Sequence, residues 1–348
     1  MFGSPGPGNA GTNLAEPLNF NDLFVGSLFR IPEYQRGYSW EQQHLEKFIQ
    51  DIRTIIANYN DPNNIEHHNF GTVQSSVSEK LNPTMGRVDD RVSVVRVSDG
   101  QQRLITTLLF LRAVAERIAD EYADPAPLDG LKENFLASYR RIDRHDQPTG
   151  TPMDIQRLTL NHPTFNNCLK DLIMDGAHSE TTPTPVTKMK EALEWFRDEL
   201  QDDDLPKCQE LLKTILKRSE LVLLRNKNSL EFMVFEARNN RGRQVSELDK
   251  VKNLIQLIEH RGHITGGLDF PSKWFKSLMD LDKPGIGLST ELHENRILSY
   301  ALSLGVLGRD VKKIEESYTE FHKVFWTLTE RPHTTKEEQL KKFVSTFV

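Results

Sequence analysis

The sequence lacks several features that mark well-known classes of protein. Its 348 residues include only two cysteines, Cys168 and Cys208, far apart and without metal-ligand spacing, so neither a disulfide framework nor a cysteine metal site is expected. No apolar run approaches the roughly 20 residues that a membrane span needs. The N-terminus has neither the basic nor the apolar region of a signal peptide. These absences predict a cytoplasmic protein that does not enter a membrane.

An excess of positive charge and a Walker A sequence are also absent. The formal net charge of -6 argues against a broadly basic nucleic-acid-binding surface, although it allows a local basic cleft. The pattern GxxxxGK[ST] occurs nowhere, which excludes a P-loop enzyme. The chain is long enough for two domains or one large helical domain.

The most informative stretch is 92–111, which predicts a strand, a polar turn and a helix. Closely spaced valines favour a strand, and leucines and isoleucines at helical spacing follow the turn. The turn consists of Asp99, Gly100, Gln101, Gln102 and Arg103. We expect Asp99 to be the N-cap, with Gln102 completing a capping box. A capped helix needs fewer hydrogen-bonding side chains than this, and the first helical turn together with Arg103 suits a phosphate group.

A second polar turn has the same layout. A predicted strand at 28–31 is followed by Pro32, Tyr34, Gln35 and Arg36. The next helix is predicted to start at Ser39, with Gln42 three residues on as in a capping box. Because turns that follow parallel strands gather at one edge of a sheet, we expect both polar turns to lie together.

A third polar cluster occupies 238–243 and precedes a helix that Ser246 is predicted to cap together with Asp249. The first turns of that helix carry Lys252 and Asn253. Elsewhere the pattern predicts strands at 69–77 and 221–225 and helices at 131–141, 155–172, 186–200, 206–219 and 230–237. The strands at 69–77 and 92–97 are expected to pair as a hairpin with a long connection.

Taken together, the three clusters resemble one known family. The resemblance is carried by Ile31–Trp40 (IPEYQRGYSW), Val97–Leu108 (VSDGQQRLITTL) and Phe235–Asn253 (FEARNNRGRQVSELDKVKN). These segments are similar to the ParB-like, DGQQR-containing domain of modification-dependent restriction proteins, which is found in GmrSD enzymes and in SspE-type effectors of phosphorothioate-based bacterial defence. The similarity is greatest to the N-terminal part of the SspE type. Ile105 and Val245 depart from the family pattern without removing a polar group.

The resemblance implies hydrolysis of a nucleoside triphosphate, GTP or ATP, coupled to DNA sensing, with Mg²⁺ as the metal. The residues implied to be catalytic are Asp99, Gln101, Gln102 and Arg103. Those implied to bind the nucleotide are Gly100, Gln35, Arg36, Asn239, Arg241, Lys252 and Asn253. Those implied to sense the DNA modification are Pro32, Tyr34, Gln35 and Arg36.

The chemistry of each side chain suggests a different task in the implied hydrolysis. The arginines would hold phosphate oxygens and offset developing charge. Asp99 would orient the attacking water or hold Mg²⁺. Gln101 or Gln102 would position that water.

The expected fold class is α/β (α+β), with a small ParB-like mixed core followed by a large, mainly helical part. We expect a disordered tail at 1–17, the α/β core at 18–123, a helical part with the third motif at 124–270 and further helices at 271–348. The pattern stops within a helix at Val348, and no His-Asn-His constellation is present. We therefore expect the N-terminal part of a longer protein. The partners that the resemblance implies are DNA carrying a phosphorothioate modification and a C-terminal HNH nuclease domain in the same chain, and a homodimer is compatible with the family.

Two other interpretations stay open at this point. The chain could be a ParB-like module that grips DNA without turnover. It could also be a nuclease in its own right, with Asp99 and Arg103 acting on phosphodiesters. The net negative charge weighs against a broad DNA grip, and the two Gln-Arg turns fit a compact triphosphate.

Overall fold

The computed structural model describes residues 14–32, 35–59, 68–77, 93–142, 148–160, 162–181, 184–226, 246–262, 264, 268, 270, 273, 291–311 and 313–346. The strands are β1 (Leu14–Asn19), β2 (Ser27–Arg30), β3 (His68–Val77), β4 (Ser93–Asp99), β5 (Leu136–Ile142), β6 (Pro148–Gln156), β7 (Leu158–Thr159) and β8 (Ser219–Asn226). The first seven helices are α1 (Phe20–Gly26), α2 (Gln42–Tyr59), α3 (Gln101–Tyr122), α4 (Ala126–Phe135), α5 (Pro163–Met174), α6 (Thr184–Glu199) and α7 (Leu205–Lys213), the last continuing as a π-helical turn at Thr214–Arg218.

The later described helices follow the sheet in sequence. They are α8 (Glu247–His260), α9 (Glu291–Leu302), α10 (Ser317–Phe325) and α11 (Thr334–Ser345), with short π or 3₁₀ turns at Ser303–Leu307, Ile314–Glu316 and Trp326–Thr329.

A six-stranded mixed sheet forms the centre of the first part, in the order β1-β8-β3-β4-β2-β7. β2 runs parallel to β4 and to β7, and β3 runs parallel to β8. β3 and β4 are antiparallel, as are β1 and β8. A separate hairpin consists of β5 and β6. This architecture confirms the predicted mixed α/β class.

One hydrophobic core joins the sheet to helices α1–α7. Its centre is aromatic: Phe110 of α3 contacts Phe48 of α2 and Phe196 of α6, with ring centroids 5.6 Å and 5.3 Å apart. Edge-on aromatic pairs of this kind add to the free energy gained by burial. The core runs from Phe20 to Leu223, so the boundary expected between residues 123 and 124 passes through it.

A second core is built by helices α8 to α11. Helix α8 contributes an apolar stripe at helical spacing, which includes Leu248, Val251, Leu254, Ile255 and Ile258. Phe321 of α10 and Phe343 of α11 pack at a centroid separation of 5.1 Å. The hydrophobic clusters thus distinguish a sheet-containing core from a purely helical one.

Most predicted elements are confirmed, and the errors have a common cause. The strands at 28–31, 69–77, 92–97 and 221–225, the antiparallel pairing of the second with the third, and the helices at 186–200 and 206–219 are present to within a few residues. The helix predicted at 131–141 is wrong from residue 136, because Leu136–Ile142 pairs with Pro148–Gln156 as a hairpin. The helix predicted at 155–172 begins only at Pro163, because the residues before it belong to that hairpin and to β7. Cross-strand pairing overrides local helical spacing there.

Two further outcomes concern the ends of predicted segments. The tail expected at 1–17 overlaps Leu14–Asn19, which pairs with β8 as an edge strand. The helix predicted at 230–237 lies outside the described residues. No helix among the described residues is both long enough and apolar enough to span a membrane.

Candidate functional site

The two polar turns meet at one edge of the sheet, as predicted. Strands β2 and β4 are parallel neighbours, so the segments that follow them leave the sheet side by side. Gln35 is buried, and its Nε2 donates a hydrogen bond to the carbonyl oxygen of Ser98 at 2.8 Å. We call residues 99–103 the DGQQR turn and residues 35–39 the sensing loop, a name taken only from the role that the family resemblance implies for Gln35 and Arg36.

The side chains of both motif glutamines bind the backbone of the sensing loop. Gln101 Nε2 donates to the carbonyl oxygen of Arg36 at 3.1 Å. Gln102 Nε2 donates to the carbonyl oxygen of Gly37 at 3.1 Å, and Gln102 Oε1 accepts from the Ser39 N–H at 2.9 Å. Both glutamines are buried. The amide of Gln102 therefore makes a two-point contact with the loop, which we call the Gln102 latch.

Tyr38 and Gly37 pack the sensing loop against the core. The Tyr38 hydroxyl lies 2.8 Å from Oγ1 of Thr106, one helical turn beyond the motif. Burial raises the pKa of Tyr38 well above its usual value, so the ring stays neutral and serves as a hydrogen-bonded core residue. Gly37 has no room for a side chain, since an added Cβ would lie 2.5 Å from the ring of Pro185.

The start of helix α3 differs from the prediction. The N-cap is Gly100, in a left-handed conformation with φ 98° and without a side-chain cap. Asp99 Oδ1 accepts a hydrogen bond from the Gly100 N–H at 2.8 Å, and Gln102 faces the sensing loop, so the predicted Asp99–Gln102 capping box is wrong. A Cβ on Gly100 would lie 3.0 Å from the Thr72 carbonyl oxygen, which explains why glycine occupies this turn. The Asp99 side chain is consequently exposed rather than consumed as a cap.

Arg103 rests on the neighbouring strand β3. Its Nη1 donates to the carbonyl oxygen of Thr72 at 3.0 Å. The register of β3 against β8 shifts between Asn69 and Thr72, and Gly71 in this irregular stretch has φ +106°. A Cβ on Gly71 would lie 3.2 Å from Arg103 Cζ. The sequence signal for this support is the isolated glycine within a strand, a known mark of a bulge or of close approach.

The helix after the sensing loop also begins later than predicted. Helix α2 starts at Gln42, not at Ser39. The Glu41 N–H donates to Nδ1 of His44 at 3.2 Å, so one half of a capping box is present two residues later than predicted. Ser39 instead gives its backbone N–H to the Gln102 latch.

The third cluster is described only in part. Asn239 and Arg241 lie outside the described residues, as does Tyr34 in the second turn. The predicted cap is confirmed, because Ser246 Oγ accepts from the Asp249 N–H at 3.1 Å. Lys252 Nζ contacts Asp249 Oδ1 at 3.3 Å, and Asp249, Lys252 and Asn253 are all buried. Helix α8 thus buries polar side chains in its first turns, as residues of a binding site often do.

Charged groups at the two turns remain available to a ligand. Within the described part of the chain, the side chains of Arg36, Asp99 and Arg103 form no ion pair, although Arg36 and Arg103 are only partly exposed. Pro32, which precedes the loop, is buried. The site therefore divides into buried amides that hold the backbone and charged side chains that form no ion pair with a described residue, of which Asp99 and Arg103 each make one hydrogen bond to backbone.

Asp99 is the candidate ligand for a metal ion at the two turns. Among the residues the structure describes, no three His, Cys, Asp or Glu side chains come together. Asp99 offers one exposed carboxylate with one oxygen bound to the Gly100 N–H. Mg²⁺ is commonly held by one or two carboxylates together with substrate phosphates, and Asp99 fits that arrangement rather than an all-protein cage.

Comparison with known proteins identifies the family. The family described as "GmrSD restriction endonuclease, N-terminal domain" matches residues 18–256, which include the sensing loop, the DGQQR turn and the start of helix α8. A search of curated proteins finds no match. Since the match covers well over half of the chain, this protein belongs to the family of GmrSD restriction endonuclease N-terminal domains.

Proposed function

We propose that this domain hydrolyses a nucleoside triphosphate, GTP or ATP, in response to modified DNA, and thereby controls DNA nicking by a C-terminal nuclease domain. Membership of a restriction-endonuclease family supports the general role. The observation that carries the hydrolytic part is the grouping of Arg36, Asp99 and Arg103 around a helix N-terminus, where the dipole and free N–H groups favour phosphate.

The proposed chemistry is attack of water on the γ-phosphorus. The bond from phosphorus to the β-phosphate oxygen breaks, so orthophosphate and a nucleoside diphosphate leave. Arg103 would hold the γ-phosphate and offset the charge that develops on its oxygens. Arg36 would approach from the sensing loop. Asp99 would accept a proton from the attacking water or hold Mg²⁺, which when bound neutralises phosphate charge.

The two glutamines are suited to different tasks. Gln102 uses both its amide oxygen and its amide nitrogen on the sensing loop. Gln101 uses its nitrogen on the Arg36 carbonyl, and its Oε1 accepts no hydrogen bond from the described residues. An amide oxygen is the group that orients an attacking water, so the water-positioning role falls to Gln101.

Groups from the third cluster would complete the nucleotide site. Lys252 and Asn253 are buried at the start of helix α8, and Asn239 and Arg241 lie in the segment before it. A lysine near a helix N-terminus opposes the helix dipole, so a phosphate or a carboxylate nearby would stabilise it.

Modification sensing is assigned to the sensing loop and the residues before it. A phosphorothioate replaces a non-bridging phosphate oxygen with sulfur, which is larger and less well hydrated. A reader of it needs an apolar contact beside a cation, and Tyr34 with Arg36 supplies both. Pro32, two residues before Tyr34 in the sequence, is buried and would add apolar surface to this contact. Because Gln101 and Gln102 bind the Arg36 and Gly37 carbonyls, a displacement of the loop by DNA would be transmitted to the DGQQR turn.

A binding module without turnover is the second candidate. The burial of Gln101 and Gln102 in backbone contacts favours it, because these amides would then serve only to stiffen a DNA-binding loop. The two candidates differ in one measurable product, orthophosphate.

The experiment is phosphate release from GTP and from ATP by the purified chain, without DNA, with an unmodified duplex and with its phosphorothioate twin at matched salt. The proposal expects release that the sulfur-containing duplex stimulates most. DNA binding without any release of phosphate would favour the binding module. Equal binding of the two duplexes would refute phosphorothioate sensing and leave hydrolysis to be judged by its own assay.

A further inference from the structure

Two arginines lie side by side on the face of the sheet that points away from the first core. Arg30 ends β2, Arg96 lies in the parallel neighbour β4, and the register pairs them directly. Successive side chains of a strand point to opposite faces. Since Phe29 and Val95 are in the first core, Arg30 and Arg96 point away from it. Both arginines are exposed.

Along β2, β4 and β7, the described positions of this face differ in exposure. Leu28 and Val94, two residues earlier on the same strands, are buried. Thr159 of β7 pairs with Arg30 and is half-buried, so it extends the polar row by one strand.

Among the described residues, no carboxylate pairs with either arginine. Adjacent strands are about 4.8 Å apart, and like charges on facing positions destabilise a sheet. The backbones of Arg30 and Arg96 pair in the sheet, but their side chains form no ion pair or hydrogen bond with a described residue. An anion bound by both guanidinium groups would offset the repulsion between them.

We propose that Arg30 and Arg96 bind the phosphodiester backbone of duplex DNA, which rests on the proposed function in so far as the chain engages DNA. Arginine and threonine are common backbone-contacting residues, and such contacts set position and affinity without reading sequence. Strand β2 leads from Arg30 directly through Ile31 and Pro32 to the sensing loop. Binding of the DNA backbone by Arg30 and Arg96 would therefore place the adjoining DNA phosphates at the sensing loop.

The position of the pair favours DNA over the nucleotide as the source of phosphate. Arg96 and Asp99 are three residues apart along β4, and the register of β4 against β3 is irregular between them. At about 3.3 Å per residue, their Cα atoms are roughly 10 Å apart. A triphosphate bound at the DGQQR turn would lie around the strand end, not on the arginine pair.

The test uses the whole chain with Arg30→Gln, Arg96→Gln and the double variant. Arg331→Gln is the matched control, because Arg331 is exposed at the far end of the chain and makes the same change in charge. DNA binding is measured as a function of salt with an unmodified 20-base-pair duplex (about two helical turns) and its phosphorothioate twin. The KM for the nucleotide and the unfolding midpoint are measured on the same samples.

We expect each single variant to weaken binding of both duplexes by the same factor, roughly tenfold. The slope of log K against log salt should fall by about one for each arginine lost. The KM for the nucleotide and the preference for sulfur should stay as in the wild type, and Arg331→Gln should change nothing. The unfolding midpoint should hold or rise, because one of two facing like charges is gone.

Four results would overturn the assignment. Unchanged DNA affinity in the double variant, or no DNA binding by the wild type, removes the phosphodiester site. A raised KM with unchanged DNA affinity gives the pair to the nucleotide. A lowered unfolding midpoint shows that the arginines have structural partners. Phosphate release without DNA, measured in parallel, shows separately whether the hydrolytic proposal survives.

Discussion

Removal of the Gln102 latch offers a quantitative test of how the sensing loop is held. The substitution Gln102→Ala deletes two hydrogen bonds, to the Gly37 carbonyl at 3.1 Å and from the Ser39 N–H at 2.9 Å. A buried group left without its partner costs about 1–3 kcal/mol, and both partners here are partly buried, so about 2–4 kcal/mol of local stability should be lost. Since 1.4 kcal/mol is a factor of about ten, exchange of the Ser39 amide hydrogen through local opening should accelerate about 10²-fold.

Hydrogen exchange resolved at the Ser39 amide is the appropriate assay, because the two cores need not unfold together. Gln102→Glu is the informative companion, since its carboxylate can still accept from Ser39 but cannot donate to Gly37. Its effect should therefore be smaller. Gln42→Ala is the control, because Gln42 makes only an exposed contact with Glu46 at 2.8 Å. Unchanged exchange at Ser39 in Gln102→Ala would refute the latch.

Four further substitutions test three glycine positions and the pH dependence of stability. Gly71→Ala should destabilise the protein by about 1–2 kcal/mol, because residue 71 has a positive φ, and urea unfolding measures this loss. The same substitution should lower NTP turnover, measured as phosphate release, because the added Cβ crowds Arg103. Gly176→Ala should destabilise the protein more than Gly71→Ala, since its Cβ would fall within 2.6 Å of two charged side chains. Gly130→Ala in helix α4 meets nothing within 4 Å and should stabilise the protein by up to about 1 kcal/mol. Thermal unfolding of the two variants compares these effects. Burial lowers the pKa of His162 from 6.5 to about 4, so between these pH values the unfolded chain binds a proton that the folded chain does not. The free energy of unfolding should therefore fall as the pH drops from 6.5 to 4. The substitution His162→Asn, which keeps an N-cap, should flatten this pH dependence in unfolding experiments at several pH values.

The central elements could be predicted from the sequence because their signals are local. Valines before Asp99 and leucines after Arg103 specify a strand and a helix, and these elements are found at Ser93–Asp99 and Gln101–Tyr122. Convergence of the two polar turns followed from parallel neighbouring strands, which the pairing of β2 with β4 confirms. The motifs themselves carried the resemblance to GmrSD-type proteins, and the match to residues 18–256 confirms membership of the GmrSD N-terminal domain family.

Features that depend on distant partners were not accessible in the same way. The amides of Gln101 and Gln102 bind carbonyls 65 residues away in sequence, so their framework role cannot be inferred from a motif that also fits a helix cap. The contact of Arg103 with Thr72 requires the irregularity of β3 at Gly71. Lone glycines carry too weak a signal to predict such a contact.

The hairpin of β5 and β6 shows the same limit for secondary structure. Residues 136–141 have spacing compatible with a helix, and only their pairing with 148–156 makes them a strand. Pairing energy comes from neighbours that a local window does not contain. The strand at Leu14–Asn19 was missed for the same reason, because its pairing partner β8 lies some 200 residues later.

The central claim, that the DGQQR turn hydrolyses a nucleotide, is tested most directly by phosphate release from Arg103→Ala beside the wild type. Arg103 contacts only the Thr72 carbonyl among the described residues outside its own helix, so its loss should leave the fold intact. We expect a fall in turnover of about 10²-fold or more with an unchanged circular dichroism spectrum. Turnover equal to that of the wild type, in a variant that is folded, would contradict the account.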